Sequence, residues 1–181
     1  MFLDQDIAQV LVSQTQIEKE TKRLAAEVSN DYKDKYPIVV GLLKGCIPFM
    51  SDLIKHLDFH LEMGFMDVSS YHGGTESTVD VKIEKDLSMP VKDRHILIAE
   101  DIVDSGRTLN AVINLLRSRG AKSIEVVTML DKPEGRKIDY KPKYIGVSIP
   151  KVFVVGYGLD YQERYRNVPY VGILKPKVYE T

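Results

Sequence analysis

A single cysteine, Cys46, stands in the whole chain of 181 residues. One thiol can close no internal disulfide and build no cysteine cage for zinc, which fits a reducing cytoplasmic setting. Tryptophan is absent, which decides nothing. Neither sign of charge prevails: 25 Lys and Arg stand against 26 Asp and Glu, for a formal net charge of -1. That balance gives no global pull toward nucleic acid or an anionic membrane, so neither is an expected partner. No apolar run approaches the roughly 18 residues of a membrane span. The start, MFLDQDIAQV, also lacks a basic stretch followed by an apolar one, so no signal peptide is expected. Repeats and low-complexity segments are missing. What remains is 44% hydrophobic and 28% charged residues, the make-up of an ordinary globular domain long enough to bury a real core. One domain over residues 1–181 is expected.

Periodicity gives the elements. The N-terminal part reads as one amphipathic helix: Ser13 and Gln16 have capping-box spacing, and Ile17, Leu24 and Val28 share a face before Tyr32. Residues 38–43 form a continuous apolar run, the pattern of a strand buried on both faces. Phe49, Met50, Leu53, Ile54 and Leu57 then recur at helical spacing. Leu61, Met63 and Phe65 alternate, as do Val79, Val81 and Ile83, with a polar loop from Ser69 to Ser77 between them. That is an antiparallel hairpin. Residues 96–99 are a third core strand. A helix is predicted over 108–119, closed by Gly120. Residues 124–130, 147–149, 152–155 and 171–174 read as further strands. Strands alternating with helices predict an α/β fold with a mainly parallel twisted sheet flanked by helices. Ligands of such sheets bind beyond the carboxyl ends of the strands, here after Leu43, Ala99, Leu130 and Val155.

The most informative stretch is EDIVDSGRTL, residues 100–109. A buried strand runs into Glu100 and Asp101, then a third carboxylate, Asp104, then Ser105-Gly106-Arg107-Thr108 and a helix. Amides, two hydroxyls and a helix N-terminus suit a phosphate monoester. Glu100 and Asp101 would repel that phosphate, but they suit vicinal sugar hydroxyls or hydroxyls bridged by Mg²⁺. Asp104 and Ser105 could simply cap a helix. A cap leaves two adjacent carboxylates at the end of an apolar strand unexplained, and such groups are costly to bury unless used.

EDIVDSGRTL resembles the phosphoribosyl-diphosphate motif of type I phosphoribosyltransferases. Nearly the whole chain is similar to the hypoxanthine-guanine branch, of bacterial kind. The resemblance implies that fold, with a core over about 30–150, a small hood from the N-terminal segment and 151–181, and a flexible hairpin loop. It implies transfer of a 5-phosphoribosyl group from phosphoribosyl diphosphate to N9 of hypoxanthine or guanine, giving IMP or GMP and pyrophosphate. Mg²⁺ is the implied cofactor, and a homodimer or homotetramer the implied assembly.

Residue by residue, Glu100 and Asp101 match ribose and metal positions, and residues 104–108 the 5′-phosphate loop, with Asp104 also the general base. LLKGCIPF carries Lys44 and Gly45, which match the pyrophosphate loop, and implies a cis peptide between Leu43 and Lys44. Ser70 and Tyr71 match the lid, which would shield a reactive sugar cation from water. Lys132 matches the group that reads the purine 6-oxygen; an ammonium has donors only, so it rewards a keto oxygen and rejects an amino group. Phe153 matches the residue that stacks on the base, Val154 a main-chain contact, Asp160 a metal position and Arg166 a diphosphate grip. Cys46 has no base near it in the motif and reads as packing. His56 and His60 stand four apart but lack a third ligand at suitable spacing, so no metal role is assigned to them. Two other readings compete: a phosphoribosyltransferase for xanthine or another base, and a nucleotide-sensing RNA-binding regulator, which would need a basic face.

Overall fold

The protein is described by a computed structural model, which covers residues 1–71 and 80–179. Most of the expected lid, residues 72–79, lies outside the described residues, as do the side chains of Ser70 and Tyr71.

Strands β2 (Ile38–Leu43), β3 (Glu62–Tyr71), β4 (Asp80–Lys85), β5 (His95–Val103), β6 (Ser123–Asp131) and β7 (Tyr144–Ser148) form a six-stranded sheet in the order β4-β3-β2-β5-β6-β7. All neighbours are parallel except β3 and β4. Helices cover both faces. Leu97 and Ala99 of β5 join one core with α1 (Gln14–Tyr32) and α2 (Ile47–Ile54), through Leu24, Val28, Phe49 and Leu53. Ile96 and Ile98 join another with α3 (Arg107–Ser118), through Val112 and Leu116. Fully burying one such side chain is worth about 1.5–3 kcal/mol, so this alternation fixes the register of the central strand.

The helix ends follow local chemistry. The Ser13 hydroxyl accepts from Gln16 N at 3.1 Å and starts α1. Gly120, at φ 86°, follows α3 in the left-handed conformation expected of a C′ glycine. Helix α2 ends at Ile54, so His56 and His60 share no helix.

Three expectations need correction. The N-terminal part is not one helix: Phe2–Asp6 is a 3-10 turn, and β1 (Ile7–Val12) pairs antiparallel with β8 (Val171–Leu174) as a separate two-stranded sheet. Residues 152–155 are not a strand. Only Val155 bridges, to Gly172, and Gly156 at φ 96° turns the chain away at once. The central strand does not stop at Ala99. It runs to Val103 because Glu100 and Ile102 keep pairing with Thr128 and Leu130 of β6, so both carboxylates sit on the sheet rather than past it.

Candidate active site

The carboxyl ends of β2 and β5 open on one cavity of about 340 Å³. Lys44, Gly45, Glu100, Asp101, Asp104, Ser105, Gly106, Thr108, Asp160 and Arg166 all line it. The topology explains the meeting. β2 and β5 are adjacent parallel strands, so the loops that follow them share one edge of the sheet.

Glu100 is buried, and Asp101 is partly buried beside it. Desolvation first, and the adjacent Asp101 charge second, push the Glu100 carboxyl well above the usual carboxylate range. Asp101 is raised to about 6, chiefly by burial, against the lowering pull of backbone hydrogen bonds and the Arg166 charge. Asp101 Oδ1 accepts from Ile102 N at 2.7 Å, and the Gly45 backbone lies against this carboxylate with no room for a Cβ. Two charges held this unfavourably mark a site rather than a scaffold.

The turn after β5 is built to take an anion. Gly106 is the N-cap of α3 at φ 77°, a left-handed conformation that suits glycine. Neither Asp104 nor Ser105 is the N-cap, which removes the simple capping account. Among the described residues, the amides of Ser105, Gly106 and Thr108 donate to no protein acceptor, while Arg107 N reaches Ser105 Oγ at 3.4 Å. Unfilled amides at the start of a twelve-residue helix can cradle a phosphate. Arg107 itself is exposed and its side chain does not line the cavity, so its contribution there is backbone.

On the β2 side the peptide between Leu43 and Lys44 is cis. Lys44 Nζ pairs with Glu163 Oε2 at 2.7 Å. Arg166 Nη1 donates to Gly158 O at 2.7 Å, and its Nη2 lies 3.0 Å from Asp160 Oδ1 and 3.1 Å from Glu163 Oε1. Arg166 Nε is buried without a partner among the described residues. Cys46 is buried and its thiol is pushed up to about 12, which agrees with packing and not with a nucleophile.

Lys132, Phe153 and Val154 do not line that cavity, and of the three only Lys132 is tied to a residue that does, Asp104. Lys132 Nζ donates to Asp104 Oδ2 at 2.9 Å. Phe153 is half exposed, held edge-on by Tyr161 and Tyr179 with ring centres 6.1 Å away in each case. Val154 is buried, and its N and O make no hydrogen bond among the described residues.

Sequence reasoning missed two groups. Arg136 donates from Nε to Asp104 O at 2.9 Å and from Nη2 to Val103 O at 3.3 Å, and it also bonds Tyr140 O and the Asp131 carboxylate. Glu163 bridges Lys44 and Arg166. Neither stands in a motif, and nothing in the spacing announces them; Asp131 at the end of an apolar strand was the one available hint.

A phosphate cradle at the end of a parallel strand, flanked by buried carboxylates and facing a lysine and an arginine, defines a phosphoribosyltransferase. The family model for a phosphoribosyl transferase domain matches residues 10–162. The chain is 56% identical over 180 residues to the hypoxanthine-guanine phosphoribosyltransferase of Bacillus subtilis, covering 99% of this chain and 100% of that one. It is 54% identical to the enzyme of that name from Lactococcus lactis, over 98% of this chain and 96% of the relative. A crystal structure of a hypoxanthine phosphoribosyltransferase from Staphylococcus aureus superposes with a TM-score of 0.95 at 51% identity, covering 100% of this chain and 98% of that one. The chain therefore belongs to the phosphoribosyltransferase family, in its hypoxanthine-guanine branch.

Proposed function

We propose that the protein is a purine salvage enzyme that moves a 5-phosphoribosyl group from phosphoribosyl diphosphate to N9 of hypoxanthine or guanine. The products are IMP or GMP and pyrophosphate. The observation that carries this reading is the shared cavity: the amides of Ser105, Gly106 and Thr108, without acceptors among the described residues, and the carboxylates Glu100 and Asp101 open on the same space as Lys44 and Arg166.

In this reading the amides of the α3 N-terminus, with the Ser105 and Thr108 hydroxyls, hold the 5′-phosphate. Glu100 and Asp101 hold the ribose hydroxyls. Lys44, the Gly45 backbone and Arg166 take the diphosphate. Breaking the anomeric C–O bond leaves positive charge on the ribose, and the bonding electrons depart with the diphosphate. Asp104 stands at the edge of the cavity nearest Lys132, placed to accept the proton that the purine loses as its nitrogen attacks. Lys132 donates to the purine 6-oxygen, Phe153 stacks on the ring and the Val154 main chain reads its edge. Ser70 and Tyr71 belong to the lid in this account.

The donor set suits Mg²⁺: Glu100, Asp101 and Asp160 offer oxygen only. Among the described residues no group of three or more potential ligands forms a ready cage. In this reading the ion is held by one or two of these carboxylates and the substrate's own oxygens. When bound, Mg²⁺ supplies charge neutralisation at the leaving diphosphate.

No helix among the described residues is long and apolar enough to cross a membrane. We read the enzyme as cytoplasmic, working on small molecules as a homodimer or homotetramer, with β1, β8 and residues 151–181 forming the hood over a core of about 30–150. The test is a panel of purine bases assayed with phosphoribosyl diphosphate and Mg²⁺, with and without chelator. Pyrophosphate release with hypoxanthine and guanine, lost on chelation and absent with adenine, is expected. Release with adenine alone, or with none of the bases, would remove the reading.

A further inference from the structure

Glu163 is a surface carboxylate in an unusual position. Its two oxygens are divided between Lys44 Nζ at 2.7 Å and Arg166 Nη2 at 3.1 Å, and those two cations are the ones assigned above to the leaving diphosphate. Lys44 comes from the loop after β2 and lies 119 positions away in the chain, so the bridge joins the core to the hood. An ordinary exposed ion pair is worth little, because two long side chains lose entropy for a screened attraction. Here the backbone supplies the aim. Gln162, Glu163 and Tyr165 have φ of 54°, 64° and 76°, left-handed values that non-glycine residues seldom adopt. The turn is closed by paired backbone hydrogen bonds between Tyr161 and Arg164, both 3.1 Å, and pinned by Glu163 N donating to Asp160 Oδ2 at 2.8 Å.

We infer that Glu163 is a built-in stand-in for the diphosphate: its carboxylate holds Lys44 and Arg166 together in the free enzyme, gives way when the diphosphate arrives, and takes the two cations back as pyrophosphate leaves. The inference rests on the assignment of Lys44 and Arg166 to the diphosphate.

Three features fit displacement better than a fixed structural pair. The Glu163 and Lys44 side chains are 62% and 58% exposed, so a departing carboxylate moves into water and not into the core. Arg166 keeps a buried Nε–H without an acceptor among the described residues, a donor that Glu163 does not use and a larger anion could. Glu163 Oε1 also shares Arg166 Nη2 with Asp160 Oδ1, so removing Glu163 leaves the guanidinium anchored by Asp160 and the Gly158 carbonyl. Arg166 stays in place, and Lys44, whose ion-pair partner among the described residues is Glu163, is released to the arriving anion. A carboxylate that merely preorganised the site would behave in the opposite way, since its loss would loosen both cations and weaken anion binding.

The experiment is calorimetric titration of the whole protein with inorganic pyrophosphate and Mg²⁺. The proteins compared are wild type, Glu163→Gln, Lys44→Met and the double variant, in about 0.15 M and about 0.5 M salt. Glu163→Gln should tighten pyrophosphate about 3- to 10-fold, the loss of one or two exposed ion pairs that binding no longer has to break. The gain should persist at the higher salt, where the Debye length falls to roughly half and a general field is screened. It should shrink in the Lys44→Met background, where one of the two contested cations is gone. The KM for phosphoribosyl diphosphate should fall in parallel, while turnover falls if pyrophosphate departure limits it. Unchanged or weaker pyrophosphate binding in Glu163→Gln overturns the inference, as does a gain that disappears at high salt or is undiminished by Lys44→Met. If Lys44→Met does not itself weaken pyrophosphate, the assignment of the diphosphate site fails, and the role of Glu163 fails with it.

Discussion

Lys132 Nζ donates to Asp104 Oδ2 across 2.9 Å, tying the loop after β6 to the turn after β5. The lysine side chain is 9% exposed and the aspartate 50%, so a nearly buried ammonium is held by a carboxylate that faces the cavity. In the proposed reaction these are the group that reads the purine's oxygen and the group that takes its proton. The pair places recognition and proton transfer within one hydrogen bond of each other, and it is the purine that must come between or beside them.

Asp104→Asn keeps the size and leaves an acceptor for Lys132, but an amide cannot take the proton. Turnover should fall about a hundredfold, the lower end of what a positioned base contributes. Affinity for phosphoribosyl diphosphate should stay within about twofold, because the cradle amides belong to the backbone. Steady-state kinetics beside a binding titration separate the two, and full turnover in the variant would take Asp104 out of the base role.

Lys132→Ala removes the donor that the proposed reaction assigns to the purine 6-oxygen. The ratio of kcat/KM for hypoxanthine over adenine should drop by about a hundredfold or more, since a site built to hydrogen-bond a group discriminates strongly against its absence. Equal ratios in variant and wild type would mean that the 6-oxygen is read elsewhere.

The acidic pair makes the free enzyme's stability depend on pH with a definite sign. The folded Asp101 carboxyl titrates at about 6 against an ordinary value of 3.8, so between those pH values the folded state binds more protons than the unfolded one. The contribution of Asp101 to the stability of the free protein then falls as pH rises through that window and levels off above it. Glu100, raised in the same direction, extends the decline upward. Asp101→Asn should be more stable than wild type above pH about 6, by on the order of 1–3 kcal/mol, and the two should converge near pH about 4. Denaturant melts across that range measure the difference. The same variant should lose affinity for phosphoribosyl diphosphate with Mg²⁺, which is the use that justifies the cost.

Much of this was legible in the sequence, and the boundary between what was and was not is physical. The core strands announce themselves because a strand covered on both faces must be apolar there, and β2 and the 96–99 stretch of β5 are. The phosphate turn is legible because its chemistry is local: amides, hydroxyls and a helix start lie within five consecutive residues. Strand β1 was missed because its burial is supplied by β8, more than 150 residues later, and leaves no clean alternation in IAQVLV. Arg136 and Glu163 were missed for a related reason. What makes Arg136 matter is that the backbone carbonyls of Val103 and Asp104 lie within its reach, and what makes Glu163 matter is where Lys44 and Arg166 converge. Such partners are set by the fold and not by spacing.

Arg136 is the clearest case of support from outside the motif. Its guanidinium spans the carbonyls of Val103, Asp104 and Tyr140 and the buried Asp131 carboxylate. Arg136→Ala should cost about 3–5 kcal/mol, because it strands the Asp131 charge in the interior. Adding Asp131→Asn should restore about half of that loss by removing the charge. Turnover should stay low in the double variant, since the Asp104 main chain is still unheld. Thermal melts and kinetics on both variants test it; a double variant with recovered turnover would reduce Arg136 to a partner of Asp131.

Gly135 offers the sharpest separation of catalysis from folding. It lies so close to Asp104 that a Cβ there would collide with Oδ1. The obstacle is the far end of a half-exposed side chain and not backbone, and Gly135 does not have a left-handed φ, so Gly135→Ala meets no conformational penalty of its own. The carboxylate can swing aside into the cavity, and stability should change by less than about 1 kcal/mol. Swinging aside breaks its geometry toward Lys132 and toward the purine, however, and misplacement of about 1 Å can cost a hundredfold in rate. A melt close to wild type with turnover near that of Asp104→Asn is the expected pair of results. Wild-type turnover in Gly135→Ala would show that the Asp104 carboxylate need not stand where the Lys132 pair holds it, and the link between recognition and proton transfer would have to be given up.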